Sequence, residues 1–237
     1  MHKILDGYSL QDVSNWADEI RSDQKSLYKS FAKWHYMEVE EGKSVEKISY
    51  IDGWPKNIQQ AIEYCVKELK EQPKGAKLQR AILLKMLVHL VADAHQPLHV
   101  GNGKDKGANQ CYVRWFYSKF PSTLHQVWDS KLVDSQHLSY SEYTDYLDHI
   151  SSTDKKVWQN SSVSQWLQES RDLHMTIYPK KAKITPDEYC KSSRNAVEYS
   201  KMPVLSYKYQ YEMRPVVEKR LQQAAIRLAG VLNSIVK

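Results

Sequence analysis

Histidine and aspartate recur at one spacing in this chain. His89 and Asp93 stand four residues apart in HLVADAHQPLH, and His125 and Asp129 stand four apart in LHQVWDS. On an α-helix that interval puts both side chains on one face. An imidazole and a carboxylate projecting from one turn make half of a metal site, and two such pairs can complete one or more sites across a helical bundle. His99 adds an imidazole just past Pro97, where the proline ends the helix and turns the chain. His35 in KWHYMEV and Asp18 in NWADEIR are further candidates, both near aromatic residues. Imidazoles and carboxylates without thiolate suit zinc. Manganese or iron in a carboxylate-rich bundle fits less well, because paired ExxH motifs are absent.

A lone His-x-x-x-Asp pair is more often a surface hydrogen bond than a ligand pair. Here the pair sits in an apolar run, KMLV before and V after. Burying unpaired carboxylates there costs several kcal/mol each, on the order of the usual desolvation penalty, and metal coordination removes that cost. His2, His137, His149 and His174 have no partner at ligand spacing and read as surface or core residues.

The elements that must carry these groups are mostly helices. SLQDVSNWADEIR (9–21) opens on Ser9 as a candidate N-cap and repeats apolar residues at Leu10, Val13, Trp16, Ala17 and Ile20. WPKNIQQAIEYCVKELKEQ (54–72) has Pro55 near a first turn and keeps Ile58, Ile62, Cys65, Val66 and Leu69 on one side. Helices are also predicted over 77–94, 161–178 and 213–236. The Gly101–Gln110 stretch GNGKDKGANQ reads as a loop, and CYVRWFY after it as extended chain. Pro121, Pro179, Pro186 and Pro203 mark breaks. Without repeats, low-complexity tracts or a separating linker, the expectation is one all-α, mostly helical domain over 1–237.

Composition narrows the partners. The net charge of +6 and pI of about 9.0 are compatible with a polyanion. No tight basic block exists, so a module that reads base sequence is not indicated. Sixteen Tyr and seven Trp against three Phe suit helix caps, a wet interior or a stacking surface. Cys65, Cys111 and Cys190 form no CxxC pair, which excludes a cysteine zinc site. One disulfide and one free thiol are compatible with that count, and spacing alone does not pair them. No apolar run reaches the roughly 18–20 residues of a membrane span. MHKILDGYSL has no apolar run of a signal peptide, so the chain reads either as intracellular or as lacking the start of its precursor.

HLVADAHQPLHVGNGKDKGAN, then VRWF, then LHQVWDS resemble the class I zinc-dependent nucleases, the single-strand-specific S-one and P-one type. The resemblance extends upstream to SLQDVSNWADEIR and WHYMEV. Downstream it reaches WLQESRDLHMTIY and RLQQAAIRLAGVLN, so it covers nearly the whole chain in order. It implies a mostly helical fold shared with zinc-dependent phospholipase C, and a site of three zinc ions. By this resemblance Asp18, His35, His89 and Asp93 hold one zinc, and His99, His125 and Asp129 hold a second. Asp93 also bridges toward the third and serves catalysis. Arg21 matches the basic residue that stabilises the phosphate transition state. Tyr36 and Asn109 fall where family members stack on or contact substrate. His95 lies between two ligand candidates, and the same resemblance implies that it is structural or a hydrogen-bonding support.

The family's amino-terminal Trp and Gly-His, which hold the third zinc, have no counterpart here, since HKILDGYSL aligns with the end of the family's second helix. The chain therefore reads as truncated relative to the family, with ligands for two zincs. The implied reaction is hydrolysis of single-stranded DNA and RNA to 5′-phosphate products, together with removal of the phosphate of 3′-nucleotides. The rival readings are an inactive relative that binds zinc and nucleic acid without cleaving, and, less well supported, a phospholipase C. The resemblance further implies a secreted or periplasmic protein, and a monomer without stable membrane insertion is expected.

Overall fold

The structure is a computed structural model that describes residues 3–47, 50, 52–71, 78–180 and 185–235. His2, Lys77 and Gln72, on which readings above fall, lie outside the described residues. The helices are α1 (Trp16–Asp23), α2 (Lys25–Phe31), α3 (Ile58–Glu71), α4 (Arg80–Asp93), α5 (Leu124–Gln126), α6 (Leu132–Asp134), α7 (Tyr140–Leu147), α8 (Ser152–Gln159), α9 (Val163–His174), α10 (Pro186–Tyr189) and α11 (Tyr207–Ile235). A π-helical turn, Val127–Lys131, joins α5 to α6, and a 3-10 turn, Pro97–His99, follows α4. The strands are short: β1 (Met37–Glu38), β2 (Val100–Gly101), β3 (Tyr112–Trp115), β4 (Ser122–Thr123) and β5 (Val204–Leu205). The expected mostly helical class is what forms, and CYVRWFY supplies β3.

α4 is the central element. Leu83, Leu84, Met86, Leu87, Val88, Leu90 and Val91 are all buried, so most of the helix surface is apolar and covered. α3, α9 and the C-terminal part of α11 share its core with Phe31 and Trp34. A second cluster gathers β3, the π turn, the chain after α9 and the start of α11 around Val113, Trp128, Tyr178 and Tyr189. The two clusters meet at the turn after α4.

Several boundaries differ from the sequence reading. Residues 10–15 run as turns, and α1 starts at Trp16. The Ser9 hydroxyl accepts from the Asp12 N–H at 3.2 Å, and the Asp12 carboxylate accepts from the Ser9 N–H at 2.8 Å. That reciprocal pair satisfies the local groups in a turn and competes with helix. α3 is capped by Asn57, whose Oδ1 accepts from Gln60 N–H at 3.0 Å, and Pro55 lies ahead of the helix. α11 begins six residues before the expected start and runs through Pro215. Its first turn is pinned by Tyr209, which donates to Ile177 O at 2.6 Å and accepts from Trp128 Nε1 at 2.9 Å. α2, α7 and α8 were not anticipated. The signals for α7 and α8 are local caps: Ser139 with Glu142, and Ser151 with Asp154.

Three devices fix the turn after α4. β1 pairs in parallel with β2, matching Met37 to Val100 and Glu38 to Gly101, which brings the residues just before each strand side by side. Buried Arg220 on α11 donates to His95 O at 3.0 Å, Trp166 O at 3.0 Å and Ser170 Oγ at 2.7 Å. Arg227, two turns further along the same face of α11, donates to His95 Nε2 at 2.9 Å and to both Glu169 oxygens at 2.7 Å. His95 thus supports the fold rather than joining the other imidazoles. Two buried guanidiniums with one carboxylate between them form a network whose loss leaves uncompensated charge. Arg220→Ala is expected to lower the unfolding free energy by about 3–5 kcal/mol. Urea denaturation checks this as a shift in midpoint at constant slope.

Candidate metal centre

α4 ends by presenting His89 and Asp93 from one turn, with His89 Nε2 at 3.1 Å from Asp93 Oδ2. His35, just ahead of β1, puts Nδ1 at 3.1 Å from that same oxygen and at 3.1 Å from His89 Nε2. Asp18 reaches in from α1, at 3.7 Å from His89 Nε2 and 3.9 Å from His35 Nδ1. Its side chain is 67 % exposed, so this group opens to solvent on the Asp18 side. The second group forms where the 3-10 turn faces the π turn. His99 Nε2 lies 3.5 Å from Asp129 Oδ1, and His125 Nε2 lies 3.1 Å from Asp129 Oδ2. The His99 and His125 rings stack with centroids 4.9 Å apart. Asp93 Oδ2 is 3.7 Å from His99 Nδ1 and so stands between the two groups. Each triad, Asp18 with His35 and His89, and His99 with His125 and Asp129, keeps its ligand atoms within 4.8 Å of one another.

Backbone carbonyls set the imidazole tautomers. His89 Nδ1 donates to Ser14 O at 2.9 Å, His99 Nδ1 to His35 O at 2.7 Å, and His125 Nδ1 to Gly107 O at 2.7 Å. In the neutral ring each bond leaves the lone pair on Nε2, and all three Nε2 atoms face a carboxylate. Lone pairs and carboxylate oxygens converging at 3–4 Å repel unless a cation lies among them. The donor set therefore fits a divalent ion that accepts nitrogen and oxygen ligands. A third group, Asp105 with Cys111 and Cys190, does not fit one, because the two sulfurs are bonded to each other.

Asp18 and His35 of the first triad and all three residues of the second border one cleft of about 680 Å³. Arg21, Tyr36, Lys106 and Asn109 line it as well. Arg21 leans on Tyr28, with its guanidinium carbon 5.6 Å from the ring centroid. Tyr36 is exposed to the cleft, and Asn109 Nδ2 donates to Lys106 O at 3.1 Å. A second groove, of about 510 Å³, reaches His89, Asp93 and Asp129 from the other side, between the end of α4 and α11.

The S1/P1 nuclease family profile matches residues 1–237. The chain belongs to the S1/P1 nuclease family. Endonuclease 5 of Arabidopsis thaliana is 32% identical over 248 aligned residues, covering 98% of this chain and 79% of that protein. Endonuclease 3 of the same plant is 37% identical over 64% of this chain, which spans 50% of that protein. Nuclease S1 of Aspergillus oryzae is 27% identical over 74% of this chain and 61% of its own length. The protein is thus a nuclease, a hydrolase by family.

Every sequence-predicted residue of this nuclease is at the centre or in its cleft. Sequence reasoning missed the groups that aim them. Gln96 Nε2 donates to Asp129 Oδ1 at 2.7 Å while its Oε1 accepts from Leu98 N–H at 2.6 Å. The only signal for this was its place inside HQPLH. Tyr28 and Lys106 carried none. The three carbonyl acceptors have no side-chain signature at all.

The electrostatics follow the geometry. Burial works against charge on His89, but the Asp93 carboxylate outweighs it and pushes the imidazole up to about 9. His99, deeply buried, is pushed up to about 10 by Asp93 and then Asp129. Burial opposes charge on Asp93 too, yet His99 and His89 hold it well below the carboxylate range. In the metal-free nuclease the folded-state values of the two imidazoles exceed the unfolded value near 6.5. Their contribution to stability is therefore full below about pH 6.5 and is lost as pH rises through about 9 to 10. Zinc competes with those protons, so its contribution runs the opposite way. Melting curves in chelator should show stability falling from pH 6.5 to 10. The rise in melting temperature on adding zinc should be larger at pH 8 than at pH 5.5.

Proposed function

We propose that this nuclease hydrolyses phosphodiester bonds in single-stranded DNA and RNA at a zinc centre. Asp18, His35, His89 and Asp93 would hold one ion, and His99, His125 and Asp129 a second. The observation that carries this reading is the pair of triads joined through Asp93, with Asp18, His35, His99, His125 and Asp129 opening on a single cleft that also holds a guanidinium and an exposed aromatic ring. When bound, zinc supplies Lewis-acid polarisation of a phosphoryl oxygen and activation of water near neutral pH. The third zinc known from the family is not needed for this assignment of the residues present.

The chain's own groups supply the rest. Asp93 orients the attacking water as well as holding metal. Arg21 neutralises charge that builds on the pentacoordinate phosphate. Its contact with the Tyr28 ring limits how far it can swing. Tyr36 offers a ring on which an unpaired base can stack, which tolerates any sequence and needs the base out of a duplex. Asn109 contacts the substrate beside it. The net charge of +6 adds a non-specific, salt-sensitive attraction for the polyanion.

The names of the relatives support internal cleavage. Products with a 5′-phosphate, and a 3′-nucleotidase activity, complete the proposal. The whole of 1–237 acts in it as one nuclease domain and as a monomer. The Cys111–Cys190 disulfide supports an oxidising compartment, secreted or periplasmic, and no helix among the described residues is long and apolar enough to cross a membrane.

Two variants test the reading. Asp93→Ala is expected to lose zinc, measured by elemental analysis, and to abolish hydrolysis of both single-stranded substrates. Normal turnover would remove Asp93 from the mechanism. Arg21→Ala is expected to keep its zinc and lower kcat by about 10²–10³, the usual effect of deleting one donor to a transition-state anion. Zinc lost with Arg21 would mean that this side chain supports the metal triad and not the phosphate.

A further inference from the structure

Three consecutive residues between β2 and β3 have left-handed backbone: Lys106 at φ 55°, Gly107 at 59° and Ala108 at 61°. Glycine adopts this conformation freely, but the Cβ of each of the other two is strained in it. Such a run persists only where its surroundings over-determine it. Here they do. The buried Asp105 carboxylate accepts from Ala108 N–H at 2.8 Å through Oδ1, and from the Tyr178 hydroxyl through Oδ2. The Asp105 carbonyl accepts from Gln110 N–H at 3.1 Å. Tyr178, four residues past the end of α9, sets its ring edge-on to buried His174. Burial and then the Asp105 carboxylate push the Tyr178 hydroxyl far above its ordinary range, so it stays a donor. At the far end of the loop Cys111 is bonded to Cys190.

The strained turn has a destination. Its middle carbonyl, Gly107 O, is the acceptor for His125 Nδ1. Its last carbonyl, Ala108 O, accepts from His125 N–H at 3.4 Å. The turn is also wedged against the segment that carries His99: a Cβ on Gly107 would meet Leu98 O at 2.3 Å. Right-handed or extended backbone at 106–108 would turn these carbonyls away from His125.

We propose that Asp105 and Tyr178 are positioning residues that, through the left-handed turn, fix the Nδ1–H tautomer and the aim of His125. They thereby complete the His99, His125 and Asp129 triad without touching metal or substrate. The consequence for zinc rests on the function proposed above; the tautomer is a property of the chain alone.

The experiment uses the full chain with Tyr178→Phe, which keeps the ring, and Asp105→Asn, which keeps an acceptor for Ala108 N–H. Long-range proton–nitrogen NMR of the histidine rings, metal-free at about pH 9 where an ordinary imidazole is neutral, reads the tautomer. Loss of one peak in His125→Gln assigns it. Wild type is expected to show His125 protonated at Nδ1 alone. The two variants should show a mixture of tautomers and bind zinc about tenfold more weakly at that triad in a chelator competition. Adding Ala108→Gly to Tyr178→Phe, which relieves part of the left-handed cost, should recover part of both.

An unchanged tautomer in either cooperatively folded variant overturns the proposal, because a merely structural role would lower the melting temperature and leave the imidazole as it was. Wild type that shows the Nδ1–H form, loses it in the variants and yet takes up no zinc supports the positioning role and overturns the zinc reading instead.

Discussion

A buried carboxylate among imidazoles is the constraint on which the rest of this structure depends. Asp93 has three histidine nitrogens within 3.7 Å of one oxygen, at the end of the most deeply buried helix. Taking such an anion out of water is unfavourable by several kcal/mol, on the order of the effective penalty for a buried ion, unless positive charge comes with it. Protons on His89 and His99 can supply that charge, and so can a divalent metal. The site is therefore built to hold positive charge, and what varies with conditions is which species carries it. A core of Leu, Val and Met around α4 makes the requirement strict, because the apolar side chains offer the carboxylate no hydrogen bonds.

The constraint explains why so much of the fold is spent on one short turn. Between Asp93 and His99 the chain must leave α4, reverse and present a second imidazole within a few ångströms of the first group. Pro97 opens the 3-10 turn, Gln96 accepts from the Leu98 N–H, and Arg220 and Arg227 hold the His95 backbone and ring from α11. The β1–β2 pair then locks His99 Nδ1 onto His35 O. A two-residue strand pair adds little stability alone. Its value is register: it puts residues 64 apart in the chain on one hydrogen bond, and hence binds the two triads to a common frame.

This division of labour sets what the sequence could reveal. The pairs His89–Asp93 and His125–Asp129 were legible because their side chains stand at helical spacing, the other candidate ligands through the family resemblance, and α4 and the second half of α11 because their apolar pattern is long. His95 was separable from its neighbours only through the family resemblance, whose motif leaves it out of the ligand set. The start of α1 was misplaced because Ser9 and Asp12 can cap a turn as well as a helix, and only tertiary packing decides. α11 was read too short because the cost of Pro215 is local and visible, whereas the compensating Tyr209 bonds to Trp128 and Ile177 span distant parts of the chain. The His125–Asp129 pair sits on a π turn and not a regular α-helix, yet the wider turn still brings Nε2 within 3.1 Å of the carboxylate. The four-residue spacing was right there, while the local geometry it assumed was not.

What stayed hidden is the set of backbone carbonyls that decide which ring nitrogen faces the centre. Ser14, His35 and Gly107 contribute only C=O groups, so no residue type advertises them. Carbonyls suit this task physically. A side-chain acceptor would lose rotamer entropy each time it fixed an imidazole, whereas a carbonyl in folded backbone is already placed and cannot titrate. The expense moves into the backbone path, which has to be bent to aim the carbonyl. At Ser14 and His35 ordinary turns suffice. At Gly107 they do not, and the left-handed run from Lys106 to Ala108 is the form that expense takes.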